Sequence, residues 1–217
     1  MNANHEADLR QARPDITEAD LAALRDRLPA VTEADLAALR DRLAARADAE
    51  GVLDVAYRTL DTPVGTLLLA ATPAGLVRVA YPVEGHDQVL EALAARVSPR
   101  ILNAPRRLDG AAREIGEYFA GRRRAFDLPL DYRLATGFRR EVLTRLPGIG
   151  YGTTASYATV AAAVGHPRAF RAVGTACATN PLPVVLPCHR VIKSDGHPGN
   201  YRGGPAAKQF LLTLEAA

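Results

Sequence analysis

The chain has 217 residues, 48% of them hydrophobic and 24% charged, with 27 basic and 24 acidic side chains and a formal net charge of +3. That length suits one large domain or two small ones around a packed core. No apolar run approaches the roughly 20 residues of a membrane span, and the opening MNANHEADLRQARPD lacks the apolar stretch of a secretory signal. The expectation is a cytoplasmic protein. Two cysteines, Cys177 and Cys188, exclude a disulfide scaffold and a four-cysteine zinc site.

Charge is unevenly spread. Residues 1–50 hold 7 basic and 11 acidic side chains, residues 51–131 hold 10 of each, and residues 132–217 hold 10 basic and 3 acidic. A basic final third suits a polyanionic partner, because neutralising phosphates releases counterions. A solvated basic face with no partner fits the count equally well.

In chain order, the first feature is a duplication: TEADLAALRDRL at 17–28 recurs at 32–43. Thr17 and Thr32 each precede an Asp three residues on, a start resembling a capping box. Leu21, Leu24 and Leu28 share a helical stripe, as do Leu36, Leu39 and Leu43. Two short amphipathic helices, or one helix kinked at Pro29, are expected, as a loosely attached extension over residues 1–50. Two copies fall short of the three that a stacked array needs.

Residues 51–131 read as a small α/β domain. Alternating and β-rich runs in 56–72 and 75–82, separated by Pro-Val-Gly and Thr-Pro-Ala-Gly turns, predict a three-stranded antiparallel meander. Helical spacing follows in 86–97 and 108–121, with Gly121 as a stop, and 125–132 reads as extended. From Thr136 the chain turns helical and Ala-rich. Helices are predicted over 136–146, 156–165 (capped by Ser156), 168–179 and 203–217. The middle pair has helix-turn-helix spacing. The fold class is therefore an α/β N-terminal domain with a small antiparallel sheet, then a mostly α C-terminal domain over 132–217 with a helix-turn-helix, preceded by the helical extension. Ala172, Gly174, Ala176 and Ala178 make the second helix of the pair thin. Such a helix either packs closely on another or approaches a narrow groove wall.

The chemistry concentrates at Pro187-Cys188-His189-Arg190. A thiolate is the nucleophilic form of cysteine, so a reactive thiol needs a base or a positive field beside it. His189 and Arg190 offer both. Cys177, among Ala and Thr, reads as a buried structural thiol. The run LPVVL before Pro187 reads as an extended segment that presents Cys188 at the edge of the core.

NPLPVVLPCHRVI, followed by SDG, GNYRGG, KQFLL and Glu215, resembles the O6-alkylguanine-DNA alkyltransferases, also called methylated-DNA–protein-cysteine methyltransferases. The resemblance covers roughly residues 55–217 and is most specific across 168–215. It implies single-turnover transfer of a methyl or alkyl group from O6-alkylguanine, with O4-alkylthymine a second candidate, onto Cys188. The base is first flipped from the duplex through the minor groove. By the same resemblance His189 is the base acting through a water, and Glu215 orients it. Tyr157 donates to the purine ring nitrogen, and Asn180 braces the turn before the active-site loop. Val191 accepts from the exocyclic amine, the backbone at Tyr201 and Arg202 donates to the departing oxygen, and Pro183 lines the pocket. Arg171 fills the gap left by the flipped base, with Ala172, Gly174 and Tyr157 on the DNA face. No cofactor or metal is implied. The partner is duplex DNA carrying alkylated bases, and the protein a monomer without membrane contact.

Three departures stand out. The terminal segment reads LTLEAA, which places Glu215 where a helix end frays. Ala178 stands where some members carry a basic residue. The duplicated segment has no counterpart. Two rival readings are a thiol hydrolase, against which the adjacency of Cys188 and His189 counts, and a non-catalytic DNA binder, suggested by the hairpin-like LPGIGYGTTA at 146–155. Alkyltransferase-like lesion sensors fall in the second class, but they lack the reactive cysteine.

Overall fold

The computed structural model describes residues 17–27 and 31–216, so Pro29 and the first sixteen residues lie outside it. Residues up to Leu39 and residues 40–217 fall into two compact units.

The duplicated segment forms α1 (Glu18–Arg27) and α2 (Glu33–Ala49). Both begin with the reciprocal cap that the repeat encodes. Asp20 accepts from the Thr17 backbone N–H at 3.0 Å and Thr17 Oγ1 accepts from the Asp20 N–H at 3.2 Å, and Thr32 and Asp35 repeat this at the same distances. The leucine stripe is not the packing face where its side chains are described. Leu39 and Leu43 are exposed, and Ala44 and Ala47 are the buried residues of α2. Small side chains let the final turns of α2 lie close to the core, where Arg107 donates to the Leu53 carbonyl and pairs with Asp48. Residues 40–49 are thus part of the larger unit, a correction to the loosely attached extension expected up to residue 50.

The meander is present as β1 (Val55–Leu60), β2 (Leu67–Thr72) and β3 (Gly75–Ala80), paired antiparallel in that order. A fourth strand, β4 (Ile101–Asn103), pairs parallel with β1, giving the order β3-β2-β1-β4. The sheet is therefore mixed rather than antiparallel throughout. β4 has only three residues, too few for alternation to show in sequence. β2 and β3 are buried along their whole lengths because both faces are covered. On one face Leu68, Ala70 and Val77 meet Val89 and Leu93 of α3 (His86–Arg96). On the other, Leu67, Leu69 and Val79 join Ile115 and Tyr118 of α4 (Asp109–Phe119).

That second layer continues without a break into the C-terminal helices. It includes Val142 and Leu143 of α5 (Gly137–Arg145), Val160 and Ala161 of α6 (Tyr157–Ala163), Val173 and Cys177 of α7 (Phe170–Ala178) and Leu211 of α8 (Gly204–Ala216). Ser156 caps α6, its Oγ accepting from the Thr159 N–H at 3.0 Å. α6 and α7 form the helix-turn-helix. Two short strands, β5 (Ala155–Ser156) and β6 (Val191–Ile192), pair in parallel beside it. No helix among the described residues is long and apolar enough to cross a membrane.

Gly75 marks where the chain returns to the sheet edge. Its φ is +134°, and a Cβ there would lie 2.2 Å from the Pro129 carbonyl oxygen. Leu130 forms a parallel bridge with Leu76 at the same place. Gly75→Ala should destabilise the fold by about 2 kcal/mol or more, read as a lower urea midpoint. An unchanged midpoint would show that the corner yields at no cost.

Candidate active site around Cys188

The thiol is set by a turn, not by a strand. After α7 the chain bends through residues 181–186, where the Leu186 N–H bonds to the Leu182 carbonyl at 2.8 Å and Val184 takes φ +72°. A β-branched residue in that region is strained and persists only where its surroundings hold it. The extended segment expected for LPVVL is therefore corrected. A run of five apolar residues registers burial, not direction. Cys188 opens a 3₁₀ turn, Cys188–Arg190, and is 1% exposed. An exposed thiol at the core edge is corrected too.

Asn180 organises the turn. Its Nδ2 donates to the Leu186 carbonyl at 2.9 Å and to Cys188 Sγ at 3.1 Å, while its Oδ1 accepts from the Leu182 N–H at 2.9 Å. The edge of the sheet holds the same turn. Val79 N–H and Arg78 Nη1 both donate to the Pro181 carbonyl, at 2.9 and 3.2 Å. Pro183 is buried in the turn.

Glu215 is not frayed. It lies buried near the end of α8 and gathers four donors. His189 Nε2 lies 2.8 Å from Oε1, Tyr118 Oη donates to Oε1 at 2.7 Å, Arg190 reaches both oxygens at 2.8 and 3.0 Å, and the Gly152 N–H lies 3.3 Å from Oε2. Burial alone would favour the neutral acid, but the bonds from His189, Arg190 and Tyr118 outweigh it and pull the carboxyl down to about 2. An ionised carboxylate only accepts, so His189 carries its proton on Nε2. Nδ1 is then the basic nitrogen, and it has no hydrogen-bond partner among the described residues.

The resting pair is neutral. Burial lowers the His189 pKa, opposed by Glu215, so the imidazole is uncharged near neutrality. Burial also pushes the Cys188 thiol up to about 11, partly offset by the Asn180 hydrogen bond and the charge of Lys208. A protonated thiol and a neutral imidazole with an open Nδ1 form a nucleophile and base that react only by passing a proton between them.

Tyr157 opens α6 and stands across the site. A Cβ on Gly174 would meet its ring at 3.9 Å, and one on Gly199 (φ +69°) would lie 2.8 Å from its hydroxyl. Burial pushes this phenol up to about 12, so it remains a donor. The Val191 carbonyl already accepts from Lys208 Nζ at 2.6 Å. A carbonyl has a second lone pair for another donor. Tyr201 is buried, with its ring edge toward His189 at 6.4 Å between centroids, and Arg202 is half-buried and paired with Glu84. Arg171 and Ala172 lie on the exposed face of α7 with Thr175 and Ala178, opposite buried Val173, Ala176 and Cys177. The Arg171 guanidinium rests 5.7 Å from the centre of the Phe170 ring. The site residues thus divide between a buried relay and an exposed helix face.

The comparisons align with this arrangement. The DNA-binding-domain model of 6-O-methylguanine DNA methyltransferase matches residues 137–217, and the ribonuclease-like-domain model of the same protein matches residues 55–132. A methylated-DNA–protein-cysteine methyltransferase of Mycolicibacterium paratuberculosis is 40% identical over 161 residues, covering 74% of this chain and 92% of that one. The chain belongs to the methylated-DNA–protein-cysteine methyltransferase family. A constitutive relative from Bacillus subtilis is 37% identical over 163 residues, covering 73% and 94%. Mycobacterium tuberculosis OGT, solved in complex with DNA, superposes with a TM-score of 0.63 at 36% identity, covering 74% of this chain and 92% of that one.

Sequence reasoning passed over two members of this methyltransferase-family site. Tyr118 falls on the inward stripe of α4 with Ala111 and Ile115, so its periodicity reads as core. The signal was its hydroxyl, which needs a partner when buried. Lys208, one of two lysines in the chain, follows Ala207 and precedes Leu211 by one helical turn. A lone cation on an apolar face calls for acceptors, here the Val191 and Pro198 carbonyls.

Glu215 also shapes acid stability. A carboxyl lowered from 4.5 to about 2 contributes stability that is fully present above pH 4.5 and is lost as pH falls through 2. Glu215→Gln should cost about 3 kcal/mol at neutral pH by leaving the buried Arg190 without its counter-charge and by turning an amide donor toward groups that themselves donate. The gap from the parent should narrow between pH 4.5 and 2 in urea titrations. A gap independent of pH would remove the carboxylate's charge from the account.

Proposed function

We propose that this chain repairs O6-alkylguanine in duplex DNA by taking the alkyl group onto Cys188, once per molecule. In this reading residues 132–217 form the DNA-binding and acceptor domain and residues 51–131 the α/β domain behind it.

One observation carries the reading: a buried thiol beside a histidine whose Nε2 is committed to an ionised carboxylate, under a helix with a small exposed face. Arg171 fills the stack as the target base swings out, and Ala172 and Gly174 let α7 approach the minor groove. The basic charge of residues 132–217 meets the phosphates with little preference for sequence. With the base in place, Cys188 passes its proton through a water to His189 Nδ1, and Glu215 stabilises the imidazolium that forms. Sulfur attacks the alkyl carbon in line. The S–C bond forms and the C–O bond breaks, with its electron pair leaving on guanine. The backbone at Tyr201 and Arg202 receives the departing oxygen, Tyr157 supplies a proton to the ring nitrogen, and the Val191 carbonyl holds the exocyclic amine. One proton leaves Cys188 for His189 and another reaches guanine from Tyr157, and return of the first through water to the Tyr157 oxygen leaves both side chains neutral, so the step balances with water and protein groups. The thioether has no route back to a thiol, which separates this reading from a hydrolase.

A duplex carrying O6-methylguanine should leave one methyl on the peptide containing Cys188, with a stoichiometry of one, as read by intact mass and peptide mapping. Methyl on Cys177, or turnover beyond one equivalent, would overturn the reading. Arg171→Ala should slow repair of duplex more than about tenfold, since unstacking a base costs a few kcal/mol. Reaction with free O6-methylguanine should barely change. Equal loss on both would remove the base-flipping role.

A further inference from the structure

The corner that follows β3 carries polar side chains that the sequence motifs do not include, and Glu84 there shares a cavity lining with Arg78, Arg202 and Ala178 at the end of α7. Tyr81 is 1% exposed, and its hydroxyl lies 2.9 Å from that of Tyr201. The two rings meet edge to face, with centroids 5.7 Å apart. The Tyr81 ring also lies against Gly203, where a Cβ would come within 2.7 Å of it. Three residues on, Glu84 accepts from the Tyr81 N–H at 2.9 Å through Oε1, and its Oε2 pairs with both Arg78 and Arg202. Arg78 in turn donates to the Val79 carbonyl at 2.6 Å and to the Pro181 carbonyl at 3.2 Å. One carboxylate therefore links the turn that sets Cys188, through Arg78 and Pro181, to the loop at 201–203, through Arg202.

We propose that Tyr81 and Glu84 are positioning residues for the transfer, holding the backbone of residues 201–203 at the place where the departing guanine oxygen arrives. The inference rests on the reading of Cys188 as alkyl acceptor given above. In-line displacement needs the sulfur on one side of the alkyl carbon and the oxygen's hydrogen-bond donors on the other, at a fixed separation. The Cys188 turn is braced internally by Asn180 and from the sheet by the Val79 N–H on the Pro181 carbonyl, and neither hold passes through Tyr81 or Glu84. The 201–203 loop takes its side-chain contacts to the sheet from Tyr201 to Tyr81 and from Arg202 to Glu84. A shift of that loop changes the distance to the departing oxygen without moving the thiol.

The experiment compares two methyl donors on the full chain under single-turnover conditions: a duplex with O6-methylguanine, and methyl iodide, whose leaving group needs no help from the loop. Tyr81→Phe keeps the ring and removes only the hydroxyl, and Glu84→Gln keeps the shape and removes the charge. Each should slow transfer from the duplex about ten- to hundredfold while methylation of Cys188 by methyl iodide stays within about twofold. Duplex affinity, measured in a Cys188→Ser background, should be unchanged. Tyr201→Phe should give the same loss as Tyr81→Phe, and the double variant no further loss, because the two hydroxyls act as one unit. An equal loss with both donors, additive losses in the double variant, or full duplex activity in Tyr81→Phe overturns the inference. A parent chain that accepts methyl from methyl iodide but none from the duplex overturns the functional reading itself.

Discussion

The site depends on one buried anion. Taking a carboxylate out of water costs several kcal/mol unless charge and hydrogen bonds replace the solvent, and Glu215 finds that replacement in four residues from three places in the chain. Arg190 comes from the acceptor turn, His189 from beside the thiol, Tyr118 from the α/β part and Gly152 from the loop before α6. His189 and Arg190 share one turn, while Tyr118 and Gly152 are held by separate stretches of backbone, so the anion is satisfied only when all three segments are in register. The same bonds that neutralise it fix the histidine tautomer. Stabilisation of the anion and the choice of histidine tautomer rest on the same contacts.

Around that anion the molecule is divided by polarity. Behind it lies a continuous apolar layer from β2 to α8 that closes over Cys188. In front lies α7, whose outward positions after the exposed Phe170 are Arg, Ala, Thr and Ala, and whose slimness serves two contacts at once. On its inner side Ala176 and Cys177 pack into the core, and Gly174 leaves space for the Tyr157 ring. Small residues on this helix therefore answer both of the explanations that the sequence left open: close packing inward and an unobstructed face outward.

Much of this was legible because local signals were strong. The caps of the duplicated helices, the Ser156 cap and the three strands joined by glycine turns each follow from a few adjacent residues. What escaped depends on contacts far apart in the chain. β4 is short and pairs with a strand some 45 residues earlier. The bend at Val184 is imposed by Asn180 and the sheet edge, against the preference of a β-branched residue. The repeat's leucines advertise a packing face, yet the alanines beside them fit the available gap. Tyr118 and Lys208 look like core and surface residues until their partners are in place. Glu215, by contrast, looked like a loose end because sequence position says nothing about which buried donors await it.

The order of the chain has a consequence for how reactivity arises. Cys188 and His189 precede α8, so a nascent chain carries both before it carries the carboxylate that fixes the histidine. Until that last helix docks, the imidazole has no fixed tautomer and the sulfur no oriented base. The setting of the thiol is thereby tied to completion of the tertiary structure: without α8 the histidine beside it has no carboxylate to orient its ring.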